Sequence, residues 1–436
     1  MKILLITSEE WNDYVYPNGI LTNWFSNFNV DVAQIYTSPG LPINNICDYY
    51  FQITDSQMAK SILGGSKAGR VIYKKTDNDF IANAKENAQR KGVYGFFKKL
   101  SNWWRTPIML LKDLIWDIGR YDKEELQSFV TKFNPDIVFC PRYVSKGLMR
   151  LERVVSTMTK APFVAFTADD EISLENVKWW QLAYYRRLSA KCRFKKHVRL
   201  YSHYFTFSQD QADEYKADYK IPTSTLFKSG DFSSVIDNKT VSSPIRLVYA
   251  GHLYCNRWKS LEEIGKALNK INDTSVKMIL EVYTQDELTA QQKRALREDC
   301  YIFYKGSVTP DQLVDIYKNS DIALHVESFD EKYKKKTRVS FSTKIIDLMA
   351  SGCAILAICW DKHAGYQYLK LNDAAFCCPN YQSIYPTLKS ICDTPQLIID
   401  YQKKAFNCGK NNHSRDVIHK KMLDVFETAI KNNKRL

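Results

Sequence analysis

Asp321-Ile-Ala-Leu-His-Val-Glu327-Ser328, a polar and basic loop over 329–340, Phe341-Ser342-Thr343-Lys344-Ile345-Ile346-Asp347-Leu348-Met349-Ala350-Ser351-Gly352, and Cys353-Ala-Ile-Leu-Ala-Ile-Cys359 follow one another in the second half of this 436-residue chain. The first run is short, apolar and ends in a carboxylate; the last is a second apolar run of strand length entered through a glycine. Between them the spacing of Ile345, Leu348 and Met349 predicts a helix, and the Ser342-Thr343 pair is placed to cap its first turn. A helix start is the positive end of a dipole with unpaired donors, and Lys344 adds a full charge, so a phosphate is one expected guest. Asp347, one turn along, could accept hydrogen bonds from hydroxyls of whatever carries that phosphate. The alternative is an ordinary capped helix with Lys344 and Asp347 as a surface ion pair.

Working outward, the same strand-then-helix grammar runs through the second half. Ile245–Ala250 is a strand ending at Gly251, the loop 252–260 carries Arg257 and Lys259, and Leu261–Ile271 is a helix. Val276–Tyr283 and Tyr301–Tyr304 are strands, the latter leading to Lys305-Gly306-Ser307-Val308, and Pro310–Asn319 is a helix with proline in its first turn. The first half opens likewise: strand Lys2–Thr7, a turn at Tyr16-Pro17-Asn18-Gly19, helical spacing over Ile20–Phe28 and a strand at Val30–Tyr36. Helix Lys123–Phe133, strand Ile137–Cys140, helix Leu148–Thr159 and strand Pro162–Phe166 follow, leaving Asp169-Asp170-Glu171 beyond a strand's carboxyl end. Ligands of open α/β sheets bind at that edge. Asp169 could position an acceptor hydroxyl or take its proton, or it could cap the next helix. Gly19 alone is no phosphate-binding fingerprint. Alternation in both halves predicts an α/β protein with two facing Rossmann-like domains of parallel sheet and an active site in the interdomain cleft. The expected division is 1–235, a linker at 236–244, a second domain at 245–405, and a helical segment at 406–436 that could pack back on the first domain.

Composition narrows the partners. Apolar residues make up 45% of the chain, enough for sizeable cores, and 62 Lys+Arg against 48 Asp+Glu leave a net charge of +14. Such a balance favours anionic partners: phosphorylated substrates, anionic headgroups or nucleic acid. No recognition motif for nucleic acid appears, so none is expected as a partner. The first apolar run is too short for a signal peptide, and none approaches the ~20 residues that span a bilayer. Eleven scattered cysteines without a Cys-x-x-Cys pair fit free thiols in a cytoplasm better than disulfides or zinc. Two stretches interleave cations with aromatics: 95–116, with Phe96, Phe97, Trp103, Trp104, Ile108, Leu111 and Trp116, and 179–199, with Trp179, Trp180, Tyr184, Tyr185, Arg186 and Arg187. They suit helices lying on an anionic membrane surface, and equally helices packed on their own domain.

Taken together, Tyr249-Ala250-Gly251 with Arg257 and Lys259, Tyr304 through Val308, Asp321 through Glu327 and Phe341 through Gly352 resemble the donor-binding domain of GT4-like retaining glycosyltransferases of the GT-B fold. The resemblance implies that Arg257 and Lys259 neutralise a donor diphosphate, and that the Ser342 and Thr343 amides with Lys344 hold its phosphates. Asp347 would take the ribose hydroxyls, Gly306, Ser307 and Val308 would flank the base, and Glu327 would stand near the sugar as the first of the family's paired glutamates. Two departures stand out. The family spaces its two carboxylates more closely than Glu327 and Asp347 stand here, which makes 329–340 an insertion, and His252 replaces the family's arginine after the strand glycine.

The expected function is transfer of a sugar from a nucleotide-diphosphate donor to a glycan or lipid-linked acceptor, in bacterial surface polysaccharide synthesis and with retention. Asp169, Glu327, Arg257 and Lys344 are the expected catalytic groups, with Gly19, Asp169 and Asp170 on the acceptor side. Positive groups aimed at the leaving diphosphate would supply the catalysis. No Asp-x-Asp motif stands in an expected site, so neither a metal nor a cofactor beyond the donor is expected. A sugar-nucleotide epimerase of the same fold is the alternative enzyme, and a basic binding module for anionic lipid or nucleic acid is the non-catalytic one. The expected location is the cytoplasm or the inner face of the plasma membrane.

Overall fold

The computed structural model describes residues 1–16, 19–62, 64–73, 105–141, 145–168, 173–174, 177–233 and 240–433. The chain forms two compact units, Met1–Leu226 joined by the C-terminal segment from His419, and Phe227–Ile418. Part of the expected linker, 236–239, lies outside the described residues.

In chain order the first unit contains β1 (Lys2–Thr7), α1 (Ile20–Phe25), β2 (Asp31–Tyr36), β3 (Tyr49–Gln52), α2 (Asp55–Ile62), β4 (Arg70–Tyr73), α3 (Arg105–Ile118), α4 (Lys123–Phe133), β5 (Ile137–Pro141), α5 (Lys146–Ser156), β6 (Phe163–Thr167), α6 (Leu182–His197), β7 (Tyr201–Thr206), α7 (Gln209–Tyr219) and β8 (Thr223–Thr225). Its sheet runs β4-β3-β2-β1-β5-β6-β7-β8, and only the β3/β4 pair is antiparallel. Strands buried on both faces explain the unbroken apolar runs of β1 and β6. One face packs Leu4, Ile6, Phe51 and Val138 against Leu126, Phe129 and Val130 of α4 and Leu148, Leu151 and Val155 of α5.

The second unit contains β9 (Ile245–Ala250), α8 (Arg257–Ile271), β10 (Met278–Tyr283), α9 (Ala290–Ala295), β11 (Ile302–Gly306), α10 (Pro310–Lys318), β12 (Ile322–Val326), α11 (Glu331–Thr337), α12 (Lys344–Ala350), β13 (Ala354–Ile358), α13 (Ala364–Leu371), β14 (Phe376–Cys378), α14 (Ile384–Asp393) and α15 (Gln396–His413). The last helix, α16 (Arg415–Asn433), carries the chain back into the first unit. There Phe426 meets Phe139 at a 5.4 Å ring separation, and His419 stacks on Phe28 at 4.5 Å.

The second sheet is wholly parallel in the order β11-β10-β9-β12-β13-β14. This is the doubly wound order whose direction reverses between the first and fourth strands, here β9 and β12. In such a sheet the crossovers leave those two strands in opposite senses, and ligands bind beyond their carboxyl ends. The capping chemistry agrees with the sequence: Thr309 and Gln312 form a capping box on α10, and Pro310 begins it.

Several local expectations change, among them the loop expected over 252–260, whose Arg257 and Lys259 instead open α8. The loop expected over 329–340 contains α11, a turn of basic residues begun by Glu331. Helix α12 starts at Lys344, and Thr343, at its N-cap, has helical backbone angles and no side-chain cap hydrogen bond. In the first unit β3 and β4 were not foreseen: each is four residues long, too short for a period-2 signal, and they are ordered by pairing, β3 on β2 and β4 on β3.

Candidate functional site

Strand β9 ends at Ala250, and the Gly251 N–H continues its ladder to the Tyr283 carbonyl at 2.9 Å. The chain then turns through Cys255 and Asn256, both left-handed at φ 58° and 60°, and enters α8 at Arg257. This turn aims Arg257 at the end of β12, where Glu327 extends the ladder by donating its N–H to Ile358 O at 3.0 Å. Arg257 Nε reaches Glu327 Oε2 at 3.1 Å, and Nη2 reaches Oε1 at 2.7 Å and Oε2 at 2.9 Å. The Tyr254 ring lies 4.6 Å from the guanidinium carbon. Burial works against the guanidinium charge, but Glu327 outweighs it and holds Arg257 more firmly protonated than usual.

Lys344, the first residue of α12, donates to the Ala250 carbonyl at 3.0 Å and so reaches across to β9. A Cβ at Gly251 would meet its ammonium, so a larger residue there would displace the tip of the lysine. The Lys344 side chain keeps access to solvent, yet its ammonium lies among packed atoms. Burial first, and Arg257 second, push its pKa below the ordinary lysine value, against Asp347 and Glu327. The cluster thus sets two cations, Arg257 and Lys344, near the Glu327 carboxylate.

Further ion pairs lie around it. Lys259 pairs with Asp330 at 3.1 Å, and Asn256 donates to Asp330 at 2.7 Å instead of capping α8. His252 Nδ1 meets Asp286 at 2.7 Å, and the other Asp286 oxygen accepts the Leu253 amide at 2.5 Å. Burial raises the Asp286 pKa, but His252 and that amide hold it below the ordinary carboxylate value. Asp347 pairs with Lys228 at 2.7 Å rather than with Lys344.

The cations expected to face a donor diphosphate are engaged with carboxylates here: Arg257 with Glu327, Lys259 with Asp330. Arg257 and Glu327, assigned separate roles from sequence, meet as a pair because β9 and β12 are neighbours. Ser342 and Thr343 lie half-buried before α12, where the Ser342 carbonyl accepts the Ile345 amide at 3.0 Å. Gly306 ends β11 at φ +78° and accepts the Thr284 amide at 2.9 Å. Ser307 is exposed and Val308 half-buried beyond it, at the same sheet edge but two strands from the switch point. Sequence reasoning missed Lys228, Tyr254, Asn256, Asp286 and Asp330. A signal existed only for Asp330, three residues after Glu327.

In the first unit Gly19 has φ +45° at the start of α1. Asp169 and Asp170 lie outside the described residues. A cavity of about 370 Å³ opens instead at the carboxyl ends of β1, β2 and β5, lined among others by Ser8, Thr37, Lys112, Trp116, Ser145 and Arg186. It sits at that sheet's own β1/β5 switch point, and sequence reasoning did not single it out.

No protein-family model and no curated protein matches the chain. Solved structures do. Sucrose-phosphate synthase from Thermosynechococcus elongatus superposes with a TM-score of 0.59 at 12% identity, covering 99% of this chain and 100% of that one. The fold is GT-B. Anabaena HepE in complex with UDP, another GT-B structure, gives a TM-score of 0.58 at 11% identity over 98% of this chain and 100% of that one. The chain spans 59% of the length of a Staphylococcus aureus TarM structure in complex with UDP, with a TM-score of 0.49. The first two likenesses cover the whole chain, so both α/β units fall within the GT-B match.

Proposed function

We propose that this chain is a glycosyltransferase that moves a sugar from a nucleotide-diphosphate donor to a glycan or lipid-linked acceptor, with retention, in bacterial surface polysaccharide synthesis. The observation that carries the reading is the convergence of Arg257, Lys344 and Glu327 at the switch point of the second sheet. In the reaction the bond from the anomeric carbon to the diphosphate oxygen breaks, a bond to the acceptor oxygen forms, and the acceptor's proton leaves to a base. Charge develops on the departing diphosphate, and the preorganised cations Arg257 and Lys344 would stabilise it without a metal. Glu327 orients Arg257. Lys259 and Asp347 would exchange their present ion-pair partners for phosphate and ribose, while Gly306, Ser307 and Val308 flank the base. Asp169 keeps its proposed part on the acceptor side.

The UDP bound in the HepE structure makes UDP the first nucleotide to try. Titration calorimetry should give a measurable affinity that Lys344→Ala reduces by about 10–100-fold, the worth of one charged hydrogen bond. Undiminished binding of UDP-, GDP- and dTDP-sugars by the variant would sink the donor-site reading.

Peripheral contact with an anionic membrane at its cytoplasmic face belongs to the same proposal. Among the described residues no helix is long and apolar enough to cross a membrane. Ile108, Leu111, Leu114 and Ile118 on α3, and Trp179, Trp180, Leu182, Tyr185 and Leu188 at α6, are exposed. Arg186 pairs with Asp113 and Arg193 with Asp117, docking these two helices to each other, and Lys178, Lys195 and Lys196 are exposed alongside. Rings beside cations suit the headgroup region. Eleven free thiols fit the reducing side.

A further inference from the structure

Strand β12 carries a histidine at 325, two residues before Glu327. It is 4% exposed, and its Nε2 has no hydrogen-bond partner. An orphaned buried nitrogen is costly, and native folds keep few of them. Parallel pairing of β12 with β13 sets His325 opposite Ala357, so the residue that follows β13, Cys359, emerges beside the same strand end. The chain then turns through Trp360, and His363 begins α13. Cys359 is fully buried and His363 is 1% exposed. One ligand atom from each of His325, Cys359 and His363 lies within 4.8 Å of the other two.

We propose that His325, Cys359 and His363 form a buried site for a thiophilic divalent ion, Zn²⁺ in the first instance, adjoining the Arg257–Glu327 pair. Two imidazoles and a thiolate are ligands that Zn²⁺ favours, and three protein ligands leave a fourth position for water. Tetrahedral Zn²⁺ with its usual bond lengths separates such ligand atoms by about 3.3–3.8 Å, so side-chain shifts of about 1 Å close the set. Binding releases the Cys359 thiol proton to solvent. It also engages His363, whose Nδ1 now accepts the Gly365 amide at 3.1 Å. That nitrogen either gives up the cap to the metal or takes the ring proton as Nε2 binds. The bound ion would tie the end of β12 to the turn before α13, and so hold Glu327 in place. No Cys-x-x-Cys spacing announces the site, because its ligands come from two strand ends and a helix start.

The inference stands apart from the glycosyltransferase reading, and its test needs no activity. The full chain is stripped with a chelator, reconstituted with Co²⁺ and followed by absorption, then competed with Zn²⁺. One Co²⁺ per chain with a thiolate-to-metal charge-transfer band, displaced by Zn²⁺, is the expected result. Cys359→Ser should abolish the band, and the variant should bind Zn²⁺ about 10–100-fold more weakly or worse. His325→Leu guards against a misfolded serine variant: it removes the orphaned nitrogen, so the metal-free protein should melt no lower while Zn²⁺ affinity falls. Absence of retained metal would overturn the proposal. So would a band that persists in Cys359→Ser, or Zn²⁺ affinity unchanged in His325→Leu.

Discussion

Arg257 and Glu327 are the residues on which most of the site depends, and their pairing has an energetic signature. Both side chains are largely buried, 15% and 5% exposed, so water cannot replace either partner. Removing one leaves the other as an uncompensated buried charge, which typically costs about 3–5 kcal/mol. Glu327→Ala should therefore lower unfolding free energy by that amount in urea denaturation. Arg257→Met in the same chain should restore part of the loss, since an apolar pair of similar volume is often neutral. Additive single and double effects would deny the coupling. The residue types at these positions were legible in the sequence, but the partnership was not. Arg257 and Glu327 are separated by two helices and two strands, and nothing in their local patterns says that β9 lies beside β12. The same holds for Lys259 with Asp330 and for Asp347 with Lys228.

At the scale of single elements, periodicity foretold helices and strands well where they are long and capped. Lys123–Phe133 lies where it was expected, with Asp122 accepting the Glu125 amide at its start and Asn134 left-handed at its end. Short elements were lost: β3 and β4 exist through their neighbours, and α11 gave no apolar stripe to read. The aromatic stretches divided residue by residue. Trp116 is 2% exposed, and its Nε1 donates to Asp55 at 2.6 Å, which makes it a packing residue. Trp179 and Trp180 are 68% and 60% exposed. Trp103 and Trp104 lie outside the described residues. The surface-contact reading therefore rests on α6 and α3, and Trp179→Ala/Trp180→Ala should cut flotation with anionic liposomes several-fold while leaving the melting temperature unchanged. Flotation equal to that of the unaltered chain would remove these tryptophans from any membrane contact.

At the scale of the whole molecule, each unit has its own core, and the first contains a pH-sensitive position. His203 on β7 hydrogen-bonds Ser224 at 2.8 Å, and burial, with Lys421 adding to it, lowers its pKa from 6.5 to about 4. The unfolded chain binds this proton below about pH 6.5 and the folded chain only below about 4, so stability falls as pH drops through that window. A displacement of that size corresponds to roughly 3 kcal/mol at most. His203→Gln should flatten the decline in stability between pH 7 and pH 4 by a measurable part of it; an identical decline would exclude His203 as its source. By itself the sequence determined two successive α/β alternations, the glycines and caps that punctuate them, and the cationic and acidic residue types at strand ends, because these follow from local hydrophobic period and turn chemistry. Tertiary structure alone decided strand order, and with it every partnership that matters here: Arg257 with Glu327, Lys344 with the Ala250 carbonyl, and His325 with Cys359 and His363. Periodicity reports which face of an element is buried, whereas the choice of neighbour depends on how crossovers pack, and only that packing brings residues far apart in sequence within bonding distance.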